Sequence, residues 1–378
     1  MDFSFSEDQT MLRDLAREIL EKEVTAEQLK EIERDPDWFD RGLWSQLAEA
    51  NLLGLVAPED LGGMGLGIEE VCRLLHEGGR AVAPVPLLPA LVLASLPIAE
   101  FGTDEQKRAW LTPVASGEAI LTGALVDAGS SDPSSPATTA RRNRGAWVLE
   151  GEKRLVPAVH LARRVLVGTK TDEGVGIFLV DPRAEGVSLT RQQTSRGEPL
   201  FSMRLAGARV GESELLGGDS SSGARMLAWL HDRATVAICA TQVGVCERAL
   251  EITAEYARER VQFGVPIGSF QAVQHRCADG LIDLEAIRWT AWRAISRLAR
   301  GLPVAREAMV AKFWAAEGGA RIASTAQHLH AGLGVDLDYP IHRYFLWAKS
   351  LELELGAAAP QLVRLGGDLA RTGPQELQ

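Results

Sequence analysis

Catalysis and cofactor binding need particular side chains at fixed spacing. One segment that offers them is Tyr256-Ala-Arg-Glu-Arg-Val-Gln-Phe-Gly-Val-Pro-Ile-Gly-Ser-Phe-Gln271. Arg260 is a permanent cation whose planar guanidinium forks onto oxyanions. Phe263-Gly264 beside it marks a turn, and Gln271 offers an amide. A second segment, Leu329-His-Ala-Gly-Leu-Gly334, carries glycines that let a backbone approach a ligand closely. Cys72, Cys239, Cys246 and Cys277 form no CxxC pair, and His328 and His330 lack a helical i, i+4 partner. No metal site and no disulfide framework is expected from them.

Hydrophobic period indicates the elements that hold these residues. Ser6-Glu-Asp-Gln9 is a capping-box pattern, followed by Met11, Leu12, Leu15, Ile19 and Leu20 at helical spacing. Helical patterns continue to about residue 118, with Thr103-Asp-Glu-Gln106 starting a later helix. From Ala119 the runs Ile120–Val126, Ala146–Glu150, Arg164–Gly168, Gly176–Val180 and Val187–Leu189 are short, β-branched and separated by turn residues. The polar loop Gly129–Pro136 falls among them. After Gly217–Gly223 the helical period returns, with helices expected over Gln271–Leu298, Pro303–His328 and Tyr344–Leu365. The predicted class is α+β: an N-terminal helical domain over 1–118, a small antiparallel β domain over 119–217 and a C-terminal four-helix bundle over 218–378.

The 378 residues carry a formal net charge of -11, which repels phosphate backbones and argues against nucleic acid. With 46% hydrophobic residues the chain is too apolar for extended disorder. No apolar run reaches roughly 18 residues and the start has no signal-peptide pattern, so a soluble, cytoplasmic protein is expected.

The Tyr256–Gln271 segment resembles the most specific motif of the acyl-CoA dehydrogenase family. Pro58-Glu-Asp-Leu-Gly-Gly63, the β-rich middle and the glycine turn at 329–334 with Asp338-Tyr-Pro340 extend the likeness over nearly the whole chain. The resemblance implies FAD as cofactor, an acyl-CoA or related thioester as substrate, and a homo- or hetero-oligomer, dimer or tetramer, with the flavin bound across a subunit interface. It also implies that Arg260 meets the pyrophosphate, Phe263 packs on the cofactor, Gln271 bonds its polar groups, and Gly332 and Gly334 bring backbone against it.

The family removes the α-proton of a thioester with a carboxylate, usually the Glu of a Glu-Gly-Thr run. Here that position falls on Leu355, followed by Gly356 and Ala357. Glu354 is adjacent, but one helical step rotates a side chain by about 100°. A minority of members place the base near the start of the first bundle helix, and Asp232-Arg233 resembles that arrangement. Asp232 is the candidate base, with a helix cap as its ordinary alternative. In the middle domain Ala124–Gly129 and Leu155-Val-Pro157 stand where the family has its flavin-touching Thr-Glu-Pro loop and Trp-Ile-Thr strand. The likeness therefore extends to the degenerate chain of two-subunit members, a partner completing the FAD site of its neighbour.

Overall fold

The computed structural model describes residues 6–128 and 135–373; the loop expected at Gly129–Pro136 falls largely outside them. Helix α1 (Glu7–Glu23) opens on the expected capping box, with Gln9 N donating to Ser6 Oγ at 3.1 Å and Ser6 N to Gln9 Oε1 at 3.2 Å. Helices α2 (Ala26–Ile32), α3 (Arg41–Glu49) and α4 (Ile68–Ala81) follow. The Pro-punctuated Ala/Leu-rich stretch forms a buried π-helical turn over Leu88–Ser95 that runs into α5 (Leu96–Phe101). Helix α6 (Asp104–Ala115) starts on a second capping box, Thr103 with Gln106.

The sheet comprises β1 (Leu121–Ala124), β2 (Val126–Asp127), β3 (Thr139–Asn143), β4 (Ala146–Pro157), β5 (Arg164–Thr171), β6 (Gly174–Val180), β7 (Val187–Gln192) and β8 (Leu200–Gly211). Its order is β1-β5-β3-β4-β8-β7, with β2 on β4 and β6 on β5. Most pairs are antiparallel as expected, but β1 and β3 each run parallel to β5. The excursion through β2, β3 and β4 supplies the long connection that a parallel return requires. Strand β8 escapes a reading by apolar runs because Arg204, Gly207 and Arg209 interrupt it, yet every strongly buried residue in it falls on one alternating face until the chain bends.

Period two also explains how the middle strands bury both faces. Val165 and Val167 of β5 and Phe178 and Val180 of β6 pack with Trp147, Leu149 and Met203. Their neighbours Leu166, Ile177 and Leu179 point the other way, onto Ala94, Ile98, Leu111 and Val114 of the helical segment.

Helix α7 (Gly223–Glu259) is followed by a hairpin of β9 (Val261–Gln262) and β10 (Val265–Pro266). Helices α8 (Gln271–Ala299) and α9 (Ala305–His330) come next, then a 3-10 turn over Ala331–Val335. The helix expected over Tyr344–Leu365 is two, α10 (Ile341–Leu353) and α11 (Ala358–Thr372). Between them Leu355 at φ 52° and Gly356 at φ 97° are left-handed, which no right-handed helix accommodates.

By its contacts the chain forms two compact units, one of Met1–Ala26, Cys72–Ala83 and Thr235–Gln378, the other of Glu27–Val71 and Pro84–Ala234. In the first, His76 of α4 donates to Glu77 and to Glu247 of α7 at 3.0 Å each, while Arg80 bridges Glu247 and Glu251. Burial works against charge on His76, but its bonds to Glu247 and Glu77 outweigh it and hold the imidazolium above its ordinary value of 6.5. Burial likewise opposes charge on Glu247, and His76, Arg80 and Arg288 push its pKa down to about 2. A raised histidine contributes stability below 6.5 that is lost as pH rises through its folded value, and a depressed carboxylate contributes stability above 4.5 that is lost towards pH 2. We expect the unfolding midpoint to fall as pH rises above 6.5 in the wild type and to fall less in His76→Gln. Parallel midpoint-versus-pH curves for the two proteins would remove His76 from the stability balance.

Candidate functional site

The end of α7 turns into the hairpin through two backbone bonds. Arg260 N donates to Tyr256 O and Ile267 N donates to Arg260 O, both at 2.8 Å. Gln262 pairs with Val265, leaving Phe263 at φ 55° and Gly264 at φ 82° as a two-residue turn with both residues left-handed. That is the twist a tight hairpin favours, natural for glycine and strained for phenylalanine. Phe263 is 94% exposed, and its ring stands edge-to-face with Phe270, centroids 6.2 Å apart. Arg260 and Gln271 are exposed as well, and among the described residues their side chains make no hydrogen bond or ion pair.

The second glycine segment is built differently. Helix α9 ends at His330, and Ala331 takes φ 50°, ψ -128°. This backbone is open to glycine and costs an alanine about 1–3 kcal/mol. Gly334 is required by packing, because a Cβ there would lie 2.7 Å from Gln327 O and Oε1. Gly332 has no such need: a Cβ on it would meet nothing within 4 Å. Gln327 Oε1 is buried without a hydrogen-bond partner among the described residues.

The turn where the family places its base contains Glu354, Leu355, Gly356 and Ala357. Glu354 caps the end of α10 in extended backbone and accepts from Ser350 Oγ at 3.2 Å, so the helical-rotation argument does not describe it. Leu355 offers no proton acceptor. Two buried side chains clamp this turn, and the sequence reading missed both. Lys312 Nζ donates to Leu351 O at 3.0 Å and Glu352 O at 2.9 Å, and Gln361 Nε2 donates to Leu355 O at 3.0 Å and Gly356 O at 3.1 Å. The one available signal was a lysine amid Met309-Val-Ala-Lys-Phe-Trp-Ala315, on a helix face otherwise apolar.

Asp232 lies in the other unit, well inside α7, since the helix begins at Gly223. The capping alternative is thereby corrected: the first-turn N–H groups are out of its reach. Its neighbour Arg233 stacks on Trp229, 3.5 Å from the ring centroid, and donates to Trp229 O at 3.3 Å. Burial lowers the Arg233 pKa to about 10, against the pull of Glu100 and Asp232.

In the same unit the segment standing for the Thr-Glu-Pro loop is occupied with its own bonding. Asp127 and Lys153 face each other across β2 and β4, and their charged groups meet at 2.5 Å with both side chains 2% exposed. Thr138 N and Oγ1 donate to the other Asp127 oxygen at 2.9 and 2.5 Å. Asp127 is therefore engaged on both oxygens. Leu155, left-handed at φ 53°, occupies a register shift of β4, and Pro157 O accepts from Thr122 Oγ1 at 2.8 Å.

Three family models cover most of the chain: the acyl-CoA dehydrogenase N-terminal domain over residues 6–118, the middle domain over 127–204 and the C-terminal domain over 222–366. The acyl-CoA dehydrogenase FadE27 of Mycobacterium tuberculosis is 40% identical over 98% of this chain and 100% of its own length. The chain belongs to the acyl-CoA dehydrogenase family. Membership makes it an FAD-dependent oxidoreductase subunit of the CH–CH class, as the resemblance implied. Among solved structures, a chain of the ChsE4–ChsE5 complex from Mycobacterium tuberculosis is 39% identical with a TM-score of 0.93, covering 99% of this chain and 100% of that one. A chain of the Tcur3481–Tcur3483 steroid ACAD is 43% identical with a TM-score of 0.90, covering 97% of this chain and 98% of that one. No helix of the described residues is long and apolar enough to cross a membrane.

Proposed function

We propose that this chain acts in α,β-dehydrogenation of an acyl thioester as one subunit of a hetero-oligomer, with its FAD-facing groups on the hairpin and the 331–335 turn. The observation that carries this reading is the state of the hairpin. An aromatic ring 94% in water, beside a guanidinium and an amide that have no partners among the described residues, offers an apolar face and two polar groups to something outside the chain. A flavin dinucleotide fits: Arg260 would hold the pyrophosphate, Phe263 would pack on the cofactor, Gln271 would bond its polar groups, and Gly332, open on its Cβ side, would let the cofactor approach the backbone. Bound there, FAD supplies the acceptor for the β-hydrogen. The boundaries proposed for the three segments remain 1–118, 119–217 and 218–378.

The α-proton needs a carboxylate. Leu355 cannot supply it and Asp127 is engaged by Lys153 and Thr138; the candidate within this chain is Asp232, on the likeness of Asp232-Arg233 to the family's minority arrangement. Full-length likeness to an acyl-CoA dehydrogenase favours a dehydrogenase subunit over a purely structural partner. The second reading, in which the chain only completes its neighbour's FAD site, has one specific observation behind it, the leucine at the base position. The ChsE4–ChsE5 complex and the Tcur3481–Tcur3483 steroid ACAD are each paired chains, so a homologous partner and a steroid-bearing thioester are the first assembly and substrate to try. A cytoplasmic location suits the acidic balance and four free thiols.

Co-expression with a homologous dehydrogenase chain, followed by size exclusion, flavin quantitation and dye-linked turnover, tests the assembly. We expect one mixed species with bound flavin and turnover, and little of either from this chain alone. Full flavin loading and turnover by the pure homo-oligomer would defeat the hetero-oligomer. Within the active species, loss of turnover in Asp232→Asn assigns the base to this chain; unchanged turnover removes Asp232 as the base.

A further inference from the structure

Three rings join the two cofactor-facing segments, and none of them has a role in the reading above. Tyr256 stands on the last turns of α7, and its carbonyl accepts the Arg260 amide from which the hairpin departs. Its ring stacks on His330, the last residue of α9, with centroids 4.4 Å apart and planes 23° apart. His330 is 1% exposed, and its Nδ1 lies 2.8 Å from Ala326 O. A carbonyl only accepts, so the proton sits on Nδ1, and Nε2 is left to accept from Tyr339 Oη at 3.3 Å. Burial lowers the His330 pKa and keeps this neutral tautomer. The Tyr339 ring completes the group, 5.2 Å from His330 and 6.4 Å from Tyr256.

The residue that follows His330 is Ala331, at φ 50°, ψ -128°. A conformation that an alanine resists persists only where its surroundings over-determine it. The surroundings here are the stack, the carbonyl and the tyrosine hydroxyl, all acting on the side chain immediately before the strained bond. We propose that Tyr256, His330 and Tyr339 form a clamp that holds Ala331 in its strained conformation and so fixes the Ala331–Val335 turn relative to the Arg260 hairpin. The three are positioning residues for the backbone that faces the cofactor, an assignment that rests on the flavin reading for its consequence but not for its geometry.

The clamp predicts a particular non-additivity. In Ala331→Gly the turn keeps its shape without strain, so the clamp becomes dispensable. Tyr339→Phe removes only the hydroxyl that holds His330 Nε2 and keeps the ring. In the flavin-loaded assembly we expect Tyr339→Phe to weaken flavin retention about tenfold, a loss on the scale of one hydrogen bond. In the Ala331→Gly background the same change should cost less than about threefold, a coupling of the size that groups in contact show. The unfolding midpoint of the flavin-free chain should follow the same pattern, with a smaller drop on Tyr339→Phe when residue 331 is already relieved. Equal midpoint drops in both backgrounds, or no midpoint drop from Tyr339→Phe in either, would overturn the clamp. The two readouts separate the two claims: coupling in the midpoint without any in flavin retention keeps the clamp and removes the flavin reading of this turn. Coupling in neither removes the clamp itself.

Discussion

Replacing Arg260 with alanine lowers flavin affinity roughly thirtyfold in whichever assembly contains this chain, the lower end of what is lost when one member of a desolvated charge pair is truncated. The guanidinium is exposed and has no partner among the described residues, so its removal leaves the isolated fold intact; on the proposed flavin reading the loss falls on the bound phosphate, which would keep its charge without a counter-cation. The measurement is flavin absorbance per protein after serial dilution, with the unfolding midpoint of the flavin-free chain as control. Retention equal to wild type would remove Arg260 from the site. A large drop in the control midpoint would make the residue a structural one. Arg260→Lys should recover only part of the affinity, because an ammonium keeps the charge but not the two-pronged geometry.

The second large effect lies in the β domain. Lys153→Met destabilises the protein by about 3–5 kcal/mol, since it leaves the Asp127 carboxylate buried without its cation. Thr138 still donates twice to one Asp127 oxygen, but the oxygen that faced Lys153 has no replacement donor among the described residues. Burial pushes the Lys153 pKa down while Asp127 pulls it up, so the pair is held by proximity against desolvation. Combining Lys153→Met with Asp127→Asn should return part of the loss, because the neutral amide removes the orphaned charge and keeps an oxygen that accepts from Thr138 N and Oγ1. Denaturant unfolding reads both variants. A single-variant loss under about 1 kcal/mol would show that water reaches the carboxylate.

These two sites differ in how they could be found. The hairpin that carries Arg260, Phe263 and Gln271, the proposed cofactor groups, was legible because a turn between two helices is a local object. Its turn residues, its flanking periods and its cation all lie within a sixteen-residue segment, Tyr256–Gln271. The capping boxes at Ser6 and Thr103 were legible for the same reason, each being a bond between residues three apart. The lysine at 153 was not. Its partner is 26 residues away, and only the register of β2 on β4 sets them opposite each other.

The sequence by itself determined the order of helical, β and helical segments, the identity of the family and the absence of a carboxylate at position 355, since period, motif and residue type are properties of neighbours along the chain. Tertiary structure alone decided what each charged or strained group does. It engaged Asp127, moved Asp232 away from the helix start, split the last expected helix around Leu355, and buried Lys312 against carbonyls 39 and 40 residues distant. It also set His330 beside Tyr256, 74 positions earlier by their numbering, and so supported the strained alanine that follows. The physical reason is common to all of these. A buried polar or strained group is stable only with partners, and the chain chooses those partners by packing distant elements together, at separations that no local pattern records.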